Sequence, residues 1–220
     1  MLRQTILFDF DGTLADTLEA IVEITNRLSG EFGYDTIRAE EIAKLRNLTS
    51  KQIIKTSPIP ISKLPFLLQM VKMELKHEID HLKPIAGMKD VLKTLKKQGF
   101  QLGILSSNSK ENVRGFVEKH RWESLFDFIY SGATIFGKNK IIKNFLRKEN
   151  LSPSDIIYIG DETRDIEAAR KSNIKVIAVT WGFNSKDVLA QRHPDVLVDS
   201  PEQLIEAIAQ LQASVTGEAV

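Results

Sequence analysis

Cysteine is absent from the 220-residue chain, which excludes disulfides, thiolate metal sites and a cysteine nucleophile together, and permits a reducing, intracellular setting. An excess of charge of one sign is missing too. The 30 Lys and Arg against 29 Asp and Glu leave no overall field to draw the chain onto nucleic acid or an anionic membrane. No nucleic-acid or membrane partner is therefore expected, and the electrostatics point to a small ligand. No run approaches the roughly 18 apolar residues that a membrane span needs. The opening Met-Leu-Arg-Gln runs into two aspartates by position 11, which leaves no room for the apolar stretch of a signal peptide. A cytoplasmic location is the expectation. Low-complexity tracts are also lacking, and 42% hydrophobic with 27% charged residues is ordinary for a globular protein. The length suffices for one full domain and a smaller inserted one.

Short apolar runs at 4–10, 100–106, 126–131, 155–160, 175–180 and 195–198 read as strands, the first ending at the strong turn signal Asp11-Gly12. Patterns of helical period lie between them, such as Val91, Leu92 and Leu95, then Ile141, Ile142, Phe145 and Leu146. This alternation predicts an α/β fold, a Rossmann-like parallel sheet covered by helices on both faces, with ligands bound beyond the carboxyl ends of the strands. Residues 16–83 break the alternation and read as an inserted, small α-helical domain. Residues 1–15 and 84–220 then form the core domain. Within the insert Leu64, Leu67, Leu68, Val71, Leu75 and Ile79 give one helix an apolar face, thickened by Met70 and Met73, and core packing is the expected use of that stripe.

Asp9 and Asp11 stand two apart at a predicted strand end, so the period of two directs both carboxylates to one side. Gly12 allows a tight turn, and Thr13 offers a hydroxyl and an amide where a phosphate would sit. After the run at 155–160 comes Gly160-Asp-Glu-Thr-Arg-Asp165, in which four-residue spacing places Asp161 and Asp165 one turn apart at a helix start. Helix capping explains one acid there better than three. Three acids at one strand end would repel one another unless a cation sat among them, and hard oxygen ligands favour Mg2+. Two further strand ends carry Ser106-Ser107-Asn108, with hydroxyl and amide donors, and Gly137-Lys138, with a point charge suited to a phosphate oxygen.

These four features, in this order, resemble the haloacid dehalogenase superfamily of phosphohydrolases. Asp9-Phe-Asp-Gly-Thr13 and Gly160-Asp-Glu-Thr-Arg-Asp165 carry the resemblance most strongly. The helical insert resembles the first cap type of that superfamily, and Val179-Thr-Trp-Gly-Phe-Asn184 with Asp199-Ser-Pro-Glu-Gln-Leu204 resembles its phosphoglycolate phosphatase-like branch. The resemblance implies a magnesium-dependent phosphatase acting on a small-molecule phosphate ester. It makes Asp9 the nucleophile, Asp11 the acid and base, and Ser106 and Lys138 the ligands of the phosphoryl oxygens. Mg2+ falls to Asp9, the backbone carbonyl of Asp11, Asp161 and Asp165. Gly12, Thr13, Ser107 and Asn108 line the substrate, and the role of Glu162 stays open.

Other readings compete for parts of the chain. His77-Glu-Ile-Asp-His81 satisfies the H-E-x-x-H pattern of zinc peptidases, yet it lies near Pro84 with no third ligand, and a solvated helix end is expected instead. Gly132-Ala-Thr-Ile-Phe-Gly-Lys138-Asn139 is nearly a P-loop but puts Asn where Ser or Thr would reach a metal. A nucleotide-dependent kinase, a phosphonate hydrolase using Lys44 or Lys51 as a Schiff-base lysine, a sugar-phosphate mutase and a non-catalytic phosphate sensor remain alternatives. The polar turn Arg46, Asn47, Thr49, Ser50 and Lys51 is expected to face the leaving group, with Arg46 pairing an anionic substrate.

Overall fold

The computed structural model describes residues 4–131 and 137–216. In chain order β1 (Thr5–Phe8) is followed by a two-residue strand β2 (Ala15–Asp16), the helices α1 (Leu18–Phe32), α2 (Ala39–Arg46), α3 (Ser50–Thr56) and α4 (Leu64–Glu78), and the two-residue strand β3 (Lys83–Pro84). Helix and strand then alternate through α5 (Met88–Lys97), β4 (Gln101–Leu105), α6 (Lys110–Lys119), β5 (Phe128–Tyr130), α7 (Lys138–Glu149), β6 (Ile156–Gly160), α8 (Thr163–Lys171), β7 (Lys175–Val179), α9 (Lys186–Ala190), β8 (Val196–Val198) and α10 (Gln203–Thr216). Six strands form one parallel sheet in the order β5-β4-β1-β6-β7-β8, so each of the six apolar runs became a strand. No described helix is long and apolar enough to cross a membrane.

Alternation along each strand supplies both faces of the sheet at once, because successive side chains point to opposite sides. Ile6, Phe8, Leu102, Ile104, Ile157, Ile159, Ile177 and Val179 join one core cluster with residues of α5, α6 and α10. Leu7, Leu105, Ile156, Tyr158, Val176 and Ala178 join the other, with Ile142, Phe145 and Leu146 of α7 and Ile166, Ala168 and Ala169 of α8. Strands buried on both faces need continuous apolar runs, which is why these segments stand out in the sequence.

The four helices α1–α4 leave and rejoin the sheet through an antiparallel ribbon, with Ala15 opposite Pro84 and Asp16 opposite Lys83. On α4, Leu67, Val71 and Leu75 are buried, within the same cluster as Ile24, Leu28 and Phe32 of α1. Met73 does not thicken that stripe: it stands 57% exposed on the outer side of the helix. The helix also stops at Glu78, and His77 and His81 are both exposed, so the H-E-x-x-H residues do not share a helical turn. Glu78 pairs with Arg27 instead.

Candidate active site

β1 ends at Phe8, two residues short of the expected strand end, because the chain turns sharply there. The Phe10 carbonyl accepts amides from Thr13, Leu14 and Ala15 at 3.3, 2.9 and 3.0 Å, and Gly12 takes a left-handed φ of 74°. A side chain at Gly12 would overlap Asp161 and Phe183. Asp9 nevertheless stays in the ladder through its amide, which donates to Ile159 at 2.8 Å. Its side chain is buried beside the sheet end, where Oδ1 accepts from the Phe10 amide at 2.7 Å and Oδ2 pairs with Lys138 Nζ.

Lys138, at the start of α7, is fully buried, and it also donates to Asp165 Oδ1 at 2.6 Å. Asp161, Asp165 and Asp9 bring one carboxylate oxygen each within 4.8 Å of one another. One ammonium thus pairs with two buried carboxylates, with the third, Asp161, close to both. Burial raises Asp9 to about 7, against the lowering pull of Lys138. Burial, then the charges of Glu162, Asp9 and Asp165, raise Asp161 well above the usual carboxylate range. Burial pulls Lys138 down, but the charges of Asp165 and Asp9 outweigh it and the net shift is upward. Charges packed this way are costly to desolvate. An all-oxygen set with a surplus of negative charge fits a hard divalent cation.

Asp161 is clamped by neighbours from two directions. Thr13 Oγ1 donates to its Oδ1 at 2.6 Å, and the Phe183 amide donates to its Oδ2 at 2.7 Å. The Trp181 indole in turn donates to the Thr13 carbonyl at 3.2 Å. Asn184, 3% exposed, accepts from the Thr163 amide at 2.9 Å and donates to Leu48 at 2.9 Å and Arg46 at 3.3 Å, both backbone carbonyls. The loop after β7 therefore ties the acidic loop after β6 to the turn between α2 and α3.

Asp11 lies on the other side of the turn. Asn108 Nδ2 donates to both of its oxygens, at 3.0 and 3.1 Å, while Asn108 Oδ1 accepts from Ser109 and Asn112 at 2.8 and 2.9 Å. Burial raises the Asp11 carboxyl, and the Asn108 bonds oppose that shift. Asp11 opens onto a cavity of about 970 Å3 between the sheet end and α1–α4. Its far walls, from Ile21, Ile53, Ile59, Leu67 and Leu75, are apolar.

Ser106 is fully buried at the end of β4, its hydroxyl accepting from the Asn108 amide at 2.9 Å. Ser107 and Asn108 line the cavity with Asp11. The fold thus gathers Asp9, Asp11, Gly12, Thr13, Ser106, Ser107, Asn108, Lys138, Asp161 and Asp165 at neighbouring strand ends. Thr13 does not offer a free hydroxyl, since Asp161 engages it. Arg46 stands apart from the cavity-lining residues, and its Nη2 donates to the Thr180 carbonyl at 3.3 Å. Lys51 pairs with Glu167 at 2.9 Å, and Lys44 lines the cavity but is exposed. Residues 132–136 of the near P-loop lie outside the described residues. Four participants carried no role in the sequence reading: Arg164, Glu162, Lys72 and Asn184. Arg164 and Glu162 sit inside the acidic motif, but nothing in their spacing shows that Arg164 donates to Glu162 at 2.8 Å through Nε and to Ser107 at 3.4 Å through Nη1.

A family model of haloacid dehalogenase-like hydrolases matches residues 6–179. The chain belongs to that family. It is 38% identical to a phosphoglycolate phosphatase of Synechococcus elongatus, over 94% of this chain and 98% of that relative. A phosphoglycolate phosphatase of Aliivibrio fischeri is 26% identical over 93% and 96%. With these relatives the chain is a phosphatase. Among solved structures, a haloacid dehalogenase-like hydrolase of Streptococcus pneumoniae superposes with a TM-score of 0.79 at 23% identity, covering 94% of this chain and 98% of that one. A protein of Clostridium acetobutylicum described as a predicted phosphatase gives 0.81 at 24% identity, covering 96% and 100%. These two establish the likeness of fold.

Proposed function

We propose that the chain is a magnesium-dependent phosphomonoester hydrolase in which Asp9 carries the phosphoryl group, with α1–α4, residues 16–83, as a cap over a core of residues 1–15 and 84–220. The observation that carries this reading is the buried cluster of Asp9, Asp161 and Asp165 around Lys138 with Asp11 beside it facing a cavity. An Asp9 oxygen attacks phosphorus as the bond to the leaving oxygen breaks, and Asp11 protonates that oxygen. A water then attacks the aspartyl phosphate, giving its proton to Asp11 and restoring the Asp9 carboxylate as inorganic phosphate leaves. Burial supports Asp11 as the acid, because a raised carboxyl keeps its proton closer to neutral pH.

Lys138 and Ser106 bind phosphoryl oxygens, and Lys138 also offsets the repulsion between Asp9 and an anionic ester. Asp9, Asp161 and Asp165, with the Asp11 carbonyl, would hold Mg2+, which when bound would supply a Lewis acid for the phosphoryl oxygens. The Asp9 side chain is 2% exposed, covered by Lys138, Asp161 and Asp165. The names of the relatives make phosphoglycolate the first ester to test. A Schiff-base role draws little support, since Lys51 is paired with Glu167 and Lys44 is exposed. The test is Asp9→Asn assayed for phosphate release with Mg2+ across a panel of phosphorylated metabolites. Turnover should vanish while the unfolding transition persists; a variant that still turns over refutes the nucleophile.

A further inference from the structure

Neither α2 nor α3 buries a residue, although both helices carry aliphatic side chains. Leu45 of α2 and Ile53 and Ile54 of α3 belong to neither core cluster; they line the cavity that opens beside Asp11. Ile21 of α1 and Leu68 of α4 line it with them, and Ile53 remains 36% exposed. Aliphatic surface turned to a solvent-accessible cavity, and not to a core, is stabilised by any apolar group that covers it.

Polar side chains occur in the lining too, but those of the cap are already engaged or face solvent. Thr25 Oγ1 donates to the Ile21 carbonyl at 2.7 Å, the Tyr34 hydroxyl to the Thr25 carbonyl, and Thr56 Oγ1 to the Gln52 carbonyl at 2.9 Å. Ser57 Oγ accepts from the Ile59 amide at 3.2 Å, and Arg38 pairs with Glu40 and Glu41. Asp35, Thr36 and Lys44 are exposed. The remaining polar lining belongs to the reaction centre, where Asn108 bonds to Asp11, Glu162 to Ser50 and Arg164, Arg164 to Ser107, and Lys72 faces the Asp11 charge. The cavity therefore joins a polar, catalytic end to an aliphatic lobe, the pattern of a site for an amphiphile.

At about 970 Å3 the cavity is of the size that holds a drug-sized ligand, and a two-carbon ester at Asp11 leaves most of the lobe unfilled. We propose that the lobe binds the alkyl chain of a second class of substrate, phosphate monoesters of medium-length primary alcohols. The proposal rests on the hydrolase reading above and extends it to a leaving group which that reading does not name. The bonds made and broken are the same: an Asp9 oxygen joins phosphorus, the bond from phosphorus to the alcohol oxygen breaks, and Asp11 gives that oxygen its proton. Water then hydrolyses the aspartyl phosphate, returning a proton to Asp11 and releasing inorganic phosphate.

Ethyl, butyl and hexyl phosphates release alcohols of nearly equal basicity, so the chemical step is held constant while the apolar area grows. In the full chain with Mg2+, kcat/KM should rise about fourfold for each methylene that the lobe covers, on the order of a hundredfold from ethyl to hexyl, mostly through KM. Ile53→Asn and Leu68→Asn should each cut the hexyl-to-ethyl ratio by about three- to tenfold, and Ile53→Leu should keep it. A merely structural loss would lower kcat on both esters alike. A ratio within about twofold of unity in the unmodified enzyme, while ethyl phosphate or phosphoglycolate is still hydrolysed, overturns the lobe and leaves the hydrolase reading standing. A rise that neither asparagine variant diminishes overturns it as well, because the chain then lies elsewhere. If no ester is hydrolysed, the hydrolase reading fails and takes this proposal with it.

Discussion

Thr13→Val separates two uses of one hydroxyl. As read from sequence, Thr13 faces the phosphate; in the fold its Oγ1 donates to Asp161 Oδ1 at 2.6 Å, with both groups buried. Valine keeps the volume and removes the donor, leaving Asp161 with the Phe183 amide as its other clamp. A hydrogen bond to a charged group contributes about 1.5–3 kcal/mol. Residues that orient a metal ligand typically alter affinity about 10–100-fold when changed. The half-saturating Mg2+ concentration for phosphate release should therefore rise by about one to two orders of magnitude, while KM for the ester at saturating Mg2+ stays within a few-fold. Direct calorimetric titration of Mg2+ should show the same shift without any ester present. An unchanged Mg2+ requirement together with a raised KM would refute this account and return Thr13 to the phosphate.

Asn184→Ala removes the acceptor of the Thr163 amide and the donor to Leu48 and Arg46, and urea unfolding should show a loss of about 2–4 kcal/mol, since buried groups are left unpaired. Leu75→Ala on α4, where Leu75 is 1% exposed, should cost about 2–5 kcal/mol, whereas Met73→Gln at a 57% exposed position should stay within about 0.5 kcal/mol. Mg2+ should raise the thermal unfolding midpoint, because only the folded chain assembles the three carboxylates, and Asp161→Asn should diminish that rise. No shift with Mg2+ in the unmodified protein would mean that Lys138 alone balances the cluster.

Much of this was legible because parallel strands buried on both faces must be apolar throughout, and all six announced themselves that way. Asp9, Ser106, Asp161 and Lys138 were legible as strand-end or helix-start residues, since the sheet order β4-β1-β6 places those ends side by side. What lay beyond reach depends on contacts far apart in sequence. Thr13 meets Asp161 across 148 residues, and Asn184 meets Leu48 across 136. Local pattern could not reveal that the Thr13 hydroxyl is taken or that the Met73 side of α4 faces outward. The first strand was drawn too long because Phe10 is as apolar as its neighbours, although its carbonyl already belongs to the turn.

The turn between α2 and α3 bonds mainly to the core, although Ser50 also lines the cavity. Its Ser50 bonds to Glu162, its Leu48 and Arg46 carbonyls receive Asn184, and Lys51 pairs with Glu167. Every one of those partners lies within or beside the acidic loop that carries Asp161 and Asp165. Glu162 and Asn184 therefore link α1–α4 to the acidic loop, since Glu162 also holds Arg164 and Asn184 also accepts from the first amide of α8. Polar composition led to the expectation that the turn faces the leaving group, whereas most of its bonds go to the core.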